Sequence, residues 1–137
     1  MRRTKPISCN SLRVGKATAG MGLFATAPIE PGMYIEYIGD LISTEEANKK
    51  KGARYLFEIN KHWTIDGATR TNLARYINYS CDPNCESVQT DTRVFIKAIR
   101  PIGIGEELTY DYGEEYVNEF IKPHGCRCAT CIATPLP

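Results

Sequence analysis

Turn-forming residues interrupt this chain so often that no long element fits between them. Gly15, Gly20, Gly22, Pro28, Pro31-Gly32, Gly39-Asp40, Pro83, Pro101 and Gly103-Ile104-Gly105 recur along its 137 residues. The segments they leave are short and rich in β-branched and aromatic residues, which suit a pleated, half-buried surface. The pattern predicts strands over residues 33–38 and 93–99, a short return strand at Leu41-Ile42 and a strand over 107–110. It also predicts a hairpin joining 55–59 to 63–65 across Asn60-Lys61-His62. One helix is clear. Ser43 and Glu46 have capping-box spacing, lysines follow at 49–51, and Gly52 can stop it. Shorter helical stretches are expected at 72–77 and at 114–121, where Tyr116, Val117, Phe120 and Ile121 share a face. The sum is a mostly β fold with short helices, built as one domain around one core.

Charge and hydropathy exclude several classes. The formal net charge is only +1, whereas nucleic-acid binders concentrate positive charge on one surface. Lys49-Lys50-Lys51 with Arg54 reads as a solvated helix end rather than a phosphate-binding patch. No apolar run approaches the length of a bilayer-spanning helix, so no membrane partner is expected. Met1-Arg2-Arg3-Thr4-Lys5-Pro6 is basic, but no apolar stretch follows it, so it makes a poor export signal. An intracellular, reducing compartment is therefore expected, and the six cysteines read as thiols or metal ligands rather than bridges. Cys9 stands alone. The others form two groups, Cys81 with Cys85, and Cys126 with Cys128 and Cys131.

Three segments carry the functional signal: Asn78-Tyr79-Ser80-Cys81-Asp82-Pro83-Asn84-Cys85, Gly105-Glu106-Glu107-Leu108-Thr109-Tyr110-Asp111-Tyr112-Gly113, and Cys126-Arg127-Cys128-Ala129-Thr130-Cys131. With the early Gly20-Met21-Gly22-Leu23-Phe24 and in this order, they make the chain resemble a SET-domain protein lysine methyltransferase, from about Val14 to Cys131. The resemblance implies small curved sheets around a knot-like crossing, in which the segment after the Asn78 motif passes beneath a loop formed by the preceding one. It divides the chain into an N-terminal segment (1–13), a SET domain (14–113) and a post-SET-like zinc-binding tail (114–137). The stretch between Ile42 and Arg70 is short and no cysteine-rich segment precedes the domain, so a minimal SET domain is expected.

The implied reaction moves a methyl group from S-adenosylmethionine to a lysine ε-amine of a protein or peptide, with histone or histone-like substrates among the candidates. A nuclear location follows if the substrate is a histone, and a cytoplasmic one otherwise. In the family, the loop matching Ala19, Gly20, Met21 and Gly22 lines the cofactor's amino-acid end, and glycines there allow close backbone approach. The Asn matching Asn78 holds that same end. The backbone of the next residue holds the adenine. That residue is Tyr79 here, where the family usually has His. Arg75 matches a cofactor-side position, with a surface salt bridge as its other reading. Tyr55 matches a Tyr bridging cofactor and lysine channel.

A lysine nucleophile must be neutral, and a narrow aromatic channel favours the neutral form by desolvation. Tyr110 and Tyr112, two residues apart, share one side if their strand persists. The resemblance makes Tyr112 the catalytic hydroxyl and Tyr110 the residue that tunes how many methyl groups fit. It also implies one structural zinc on Cys126, Cys128, Cys131 and a fourth thiolate from Cys81. The residues alone leave Cys85, and more weakly His124, as rivals for that fourth place, since structural zinc takes four ligands. The last gap of the cluster is two residues shorter than usual. An inactive SET-like module that binds a lysine peptide, and a zinc-stabilised interaction domain without a channel, are the rival readings.

Overall fold

The computed structural model describes residues 5–18, 20–50 and 55–112. Strands β1 (Leu12–Ala17) and β2 (Gly20–Ala25) form an antiparallel hairpin. The turn expected at Gly20 to Gly22 is thus already strand. Gly20, at φ +100°, takes a conformation that costs only glycine nothing.

β3 (Tyr34–Tyr37) is the strand expected after Pro31-Gly32, and β4 (Asp40–Ser43) is the expected return strand. β4 does not return onto β3. It pairs with β6 (Trp63–Asp66), which also pairs with β5 (Leu56–Glu58). The reason lies at Gly39, where a Cβ would collide with the backbone of Asp66 and Gly67. There the chain crosses closely over the end of β6, and only glycine allows the approach. β5 and β6 are the predicted hairpin. Its turn is tied by the Asn60 side-chain oxygen, which accepts from the amides of His62 and Trp63, both at 2.8 Å.

Helix α1 (Thr44–Asn48) starts as predicted, with the Ser43 hydroxyl accepting from the Glu46 amide at 3.1 Å. It ends earlier than predicted. The amides of Lys49 and Lys50 bond to carbonyls three residues back, a tightened final turn. Lys50 then reaches Asp66 of β6 at 3.0 Å, and that carboxylate raises its pKa. The helix packs on its sheet through Thr44, whose hydroxyl lies 2.9 Å from that of Thr64.

The expected stretch at 72–77 is a single 3-10 turn, Leu73–Tyr76. β7 (Asn78–Tyr79) follows, then β8 (Cys85–Gln89), β9 (Val94–Ala98) and β10 (Thr109–Tyr110). On β9, Val94, Ile96 and Ala98 are buried and alternate with half-buried residues, the period of two of a core strand. The predicted strand at 107–110 changes partners midway. The Leu108 amide bonds to Leu23 of β2, whereas Thr109 and Tyr110 pair with β7.

The resulting sheet runs β3-β9-β8-β10-β7, beside the small β4-β6-β5 and β1-β2 sheets. β10 lies parallel to both β7 and β8, with Tyr110 opposite Tyr79 on one side and Cys85 on the other. Residues 80–84 join β7 to β8 and therefore arch across β10. Asn84, 3% exposed, closes the crossing. Its side chain donates to the Glu107 carbonyl at 2.8 Å and accepts from the Thr109 amide at 2.9 Å. The predicted helix at 114–121 lies outside the described residues.

Candidate functional site

The crossing brings the separated motifs together. Asn78 on β7 donates from one side-chain amide to the Met21 carbonyl at 2.9 Å and to Glu107 Oε2 at 2.8 Å. Two acceptors fix which end of the amide is nitrogen, and the Asn78 oxygen remains as an acceptor. Glu107 lies hard against the hairpin: a Cβ on Gly22 would meet its Oε2 at 2.5 Å. Gly22, Met21, Asn78 and Glu107 thus meet at one point. Ala19 lies outside the described residues. Glu107 was visible in the sequence as part of a strand and of the Gly105–Gly113 motif, but nothing in its spacing signals a bond to Asn78.

Tyr55 and Arg75 meet at a second point. Tyr55 has φ 67°, the only non-glycine at positive φ among the described residues, and such a conformation persists only where its surroundings fix it. Its carbonyl accepts from the Tyr37 hydroxyl at 2.7 Å and from the Gly67 amide at 2.8 Å. The Arg75 guanidinium lies over the Tyr55 ring at 4.8 Å and over the Tyr76 ring at 4.7 Å. It also donates to the Ala68 carbonyl and the Tyr76 hydroxyl. Its Nε is buried with no hydrogen-bond partner among the described residues. No salt bridge to Arg75 forms among the described residues.

From the buried Tyr37 a file of rings leads to the half-buried Tyr79. Tyr37 packs on Phe57 (5.4 Å), Phe57 stacks on Tyr110 (6.5 Å), Tyr110 meets Tyr112 edge-on (4.7 Å), and Tyr112 meets Tyr79 (5.8 Å). β10 ends at Tyr110, yet Tyr110 and Tyr112 touch as their spacing predicts. The Tyr112 hydroxyl donates to the Ile77 carbonyl at 2.6 Å, just before β7. Tyr37 and Phe57 were not singled out by the sequence. Each sits on a strand where an aromatic residue reads equally well as core.

The cysteines separate clearly. Cys85 is buried, and burial pushes its thiol up to about 12. Cys81 is exposed on the arch, with Sγ 3.6 Å from the Tyr79 hydroxyl. Cys126, Cys128, Cys131 and His124 lie outside the described residues, and the described residues alone contain no metal-binding cluster.

A family model for the SET domain matches residues 20–113. The chain is 39% identical over 125 residues to histone-lysine N-methyltransferase trr of Drosophila melanogaster, covering 82% of this chain and 5% of that protein. It is 38% identical over 127 residues to histone-lysine N-methyltransferase set1 of Dictyostelium discoideum, covering 82% and 8%. It is 36% identical over 141 residues to histone-lysine N-methyltransferase mes-4 of Caenorhabditis elegans, covering 84% and 15%. The chain therefore spans only a small part of each relative.

Proposed function

The chain belongs to the SET-domain family, and we propose that it is a protein-lysine N-methyltransferase that uses S-adenosylmethionine and acts on a histone or histone-like lysine. One observation carries this reading above the others. The two residues of β7 join the two halves of the site, Asn78 contacting the hairpin at Met21 and Tyr79 contacting the ring file at Tyr112.

When bound, S-adenosylmethionine supplies an electrophilic methyl group. The chain's residues fit such a ligand. The Arg75 Nε, which has no hydrogen-bond partner among the described residues, is a donor for a carboxylate. The Asn78 oxygen and the Glu107 carboxylate are acceptors for an ammonium. Gly20, Met21 and Gly22 offer backbone at close range, Tyr55 offers a fixed ring face, and Tyr79 offers its backbone, with Ala19 completing the loop. The ring file would form the lysine channel. Aromatic faces attract a cationic head, while loss of water disfavours the ammonium and favours its release of a proton to solvent. Tyr112, whose hydroxyl donates to the Ile77 carbonyl, would present its oxygen to the methyl as it passes. Tyr110 would limit how many methyl groups the channel admits.

A structural zinc on Cys81, Cys126, Cys128 and Cys131 belongs to the same reading. It is supported by the exposure of Cys81 on the arch, whereas Cys85 is buried in the sheet opposite Tyr110. The relatives' histone-directed names support a nuclear location. Among the described residues no helix is long and apolar enough to cross a membrane, and no direct nucleic-acid contact is proposed.

The test is a transfer assay with labelled methyl donor over histones and a lysine-peptide array. Label should enter lysine in the wild type. It should nearly vanish in Tyr112→Phe while donor affinity stays within about twofold, because the hydroxyl acts mainly in the transition state. Donor binding without transfer to any lysine would overturn the enzyme and leave a lysine-peptide reader.

A further inference from the structure

We infer that Tyr79 is a positioning residue for Tyr112, acting through its ring as a strut between Tyr112 and the Cys81 arch. The inference rests on the proposed role of Tyr112. Among the described residues, the Tyr112 side chain meets the Ile77 carbonyl through its hydroxyl, the edge of Tyr110, and the Tyr79 ring at 5.8 Å and 57°. The first two approach from the hydroxyl tip and from the end of β10, just before it in the chain. Tyr79 comes from the neighbouring strand, where register sets it opposite Tyr110.

The Tyr79 ring is itself held at both ends. Its backbone is paired in β7, and its hydroxyl lies 3.6 Å from Cys81 Sγ on the arch. A ring pinned in this way resists rotation and limits tilting of the ring packed on it. Because Tyr112 follows the end of β10, such lateral support bears directly on where its hydroxyl points. A residue with an equally apolar but flexible side chain would fill the volume without fixing the angle. The backbone of Tyr79 is common to every substitution, so a backbone contact to the cofactor survives them all.

The experiment compares Tyr79→Leu and Tyr79→Phe with the wild type. It reads turnover, donor affinity, and the NMR signals of ring-labelled, assigned Tyr112. Tyr79→Leu should lower turnover about tenfold or more, in the range that misplacement of a reacting group produces. Donor affinity should stay within about twofold, and the Tyr112 ring signals should shift or average as the ring is freed. Tyr79→Phe, which keeps the ring but loses the hydroxyl contact with Cys81, should fall between the wild type and Tyr79→Leu in turnover and in the Tyr112 signals. If Tyr79→Leu does not fold, Tyr79→Met, whose side chain is apolar and flexible, takes its place with the same expectations. Unchanged Tyr112 signals in the ring-altering variant would overturn the inference, and so would a Tyr79→Phe as impaired as Tyr79→Leu. A wild type that transfers no methyl group but whose Tyr112 signals still respond to Tyr79→Leu would refute the proposed function and leave the strut standing.

Discussion

The side-chain amide of Asn78 is turned by its neighbours before any ligand arrives. Its nitrogen is claimed by Met21 and Glu107, which leaves the oxygen as the outward-acting group. Asn78→Ala removes both the link to the hairpin and that acceptor. A hydrogen bond to a charged group is worth about 1.5–3 kcal/mol, so calorimetry with S-adenosylmethionine should show affinity reduced about tenfold or more. Unchanged affinity would move the binding role elsewhere. Tyr110 permits a second prediction at this scale. It is buried between Phe57 and Tyr112, where a close-packed wall registers the loss of a single heavy atom. The wild type should make mainly mono- or dimethyl-lysine, and Tyr110→Phe should shift the products towards trimethyl-lysine, read by mass spectrometry of a methylated peptide. A wild type that readily makes trimethyl-lysine would show that Tyr110 does not set the limit.

Among the elements, the arch over β10 holds the site together. β7 and β8 are both parallel to β10, and Asn84 is the buried group that joins the arch to the segment beneath it. Asn84→Ala would leave the Thr109 amide and the Glu107 carbonyl without this partner. Each buried group so orphaned costs about 1–3 kcal/mol. The urea midpoint should fall clearly, and transfer should suffer with it because Glu107 supports Asn78. A midpoint within error of the wild type would mean that the crossing is held by other contacts. By contrast, Ser43→Ala removes only the cap of a short peripheral helix. It should cost about 1 kcal/mol and leave turnover unchanged, since α1 packs chiefly on β4 and β6.

For the molecule as a whole, Cys85 links the core to pH. Its thiol is pushed up to about 12 by burial, against about 8.5 in an unfolded chain. The folded state therefore keeps a proton that the unfolded state releases. The corresponding stability is fully present below the unfolded pKa and is lost as the pH climbs through that window. Urea midpoints at about pH 7 and about pH 10 should differ more in the wild type than in Cys85→Ala. Equal differences would show that Cys85 contributes nothing to alkaline unfolding. Metal chelation tests the other cysteines. If Cys81 shares a zinc with the tail, chelation should abolish transfer while the alkaline behaviour of Cys85 persists, because the two thiols belong to different environments.

Sequence alone determined the short-strand character of the fold, because Gly and Pro turns leave no room for long elements. It also determined the cap at Ser43, since that bond spans three residues. Asn78, Tyr110 and Tyr112 were legible as one constellation through the order of their motifs and the resemblance this supports. Tertiary structure alone decided that β4 joins β6, because the close approach at Gly39 depends on residues far along the chain. It alone brought Glu107 to Asn78, fixed Tyr55 at positive φ, and drew Tyr37 and Phe57 into the ring file. Local pattern records which face of an element seeks burial. It does not record which distant element arrives there, and a site assembled where the chain crosses itself consists of such arrivals.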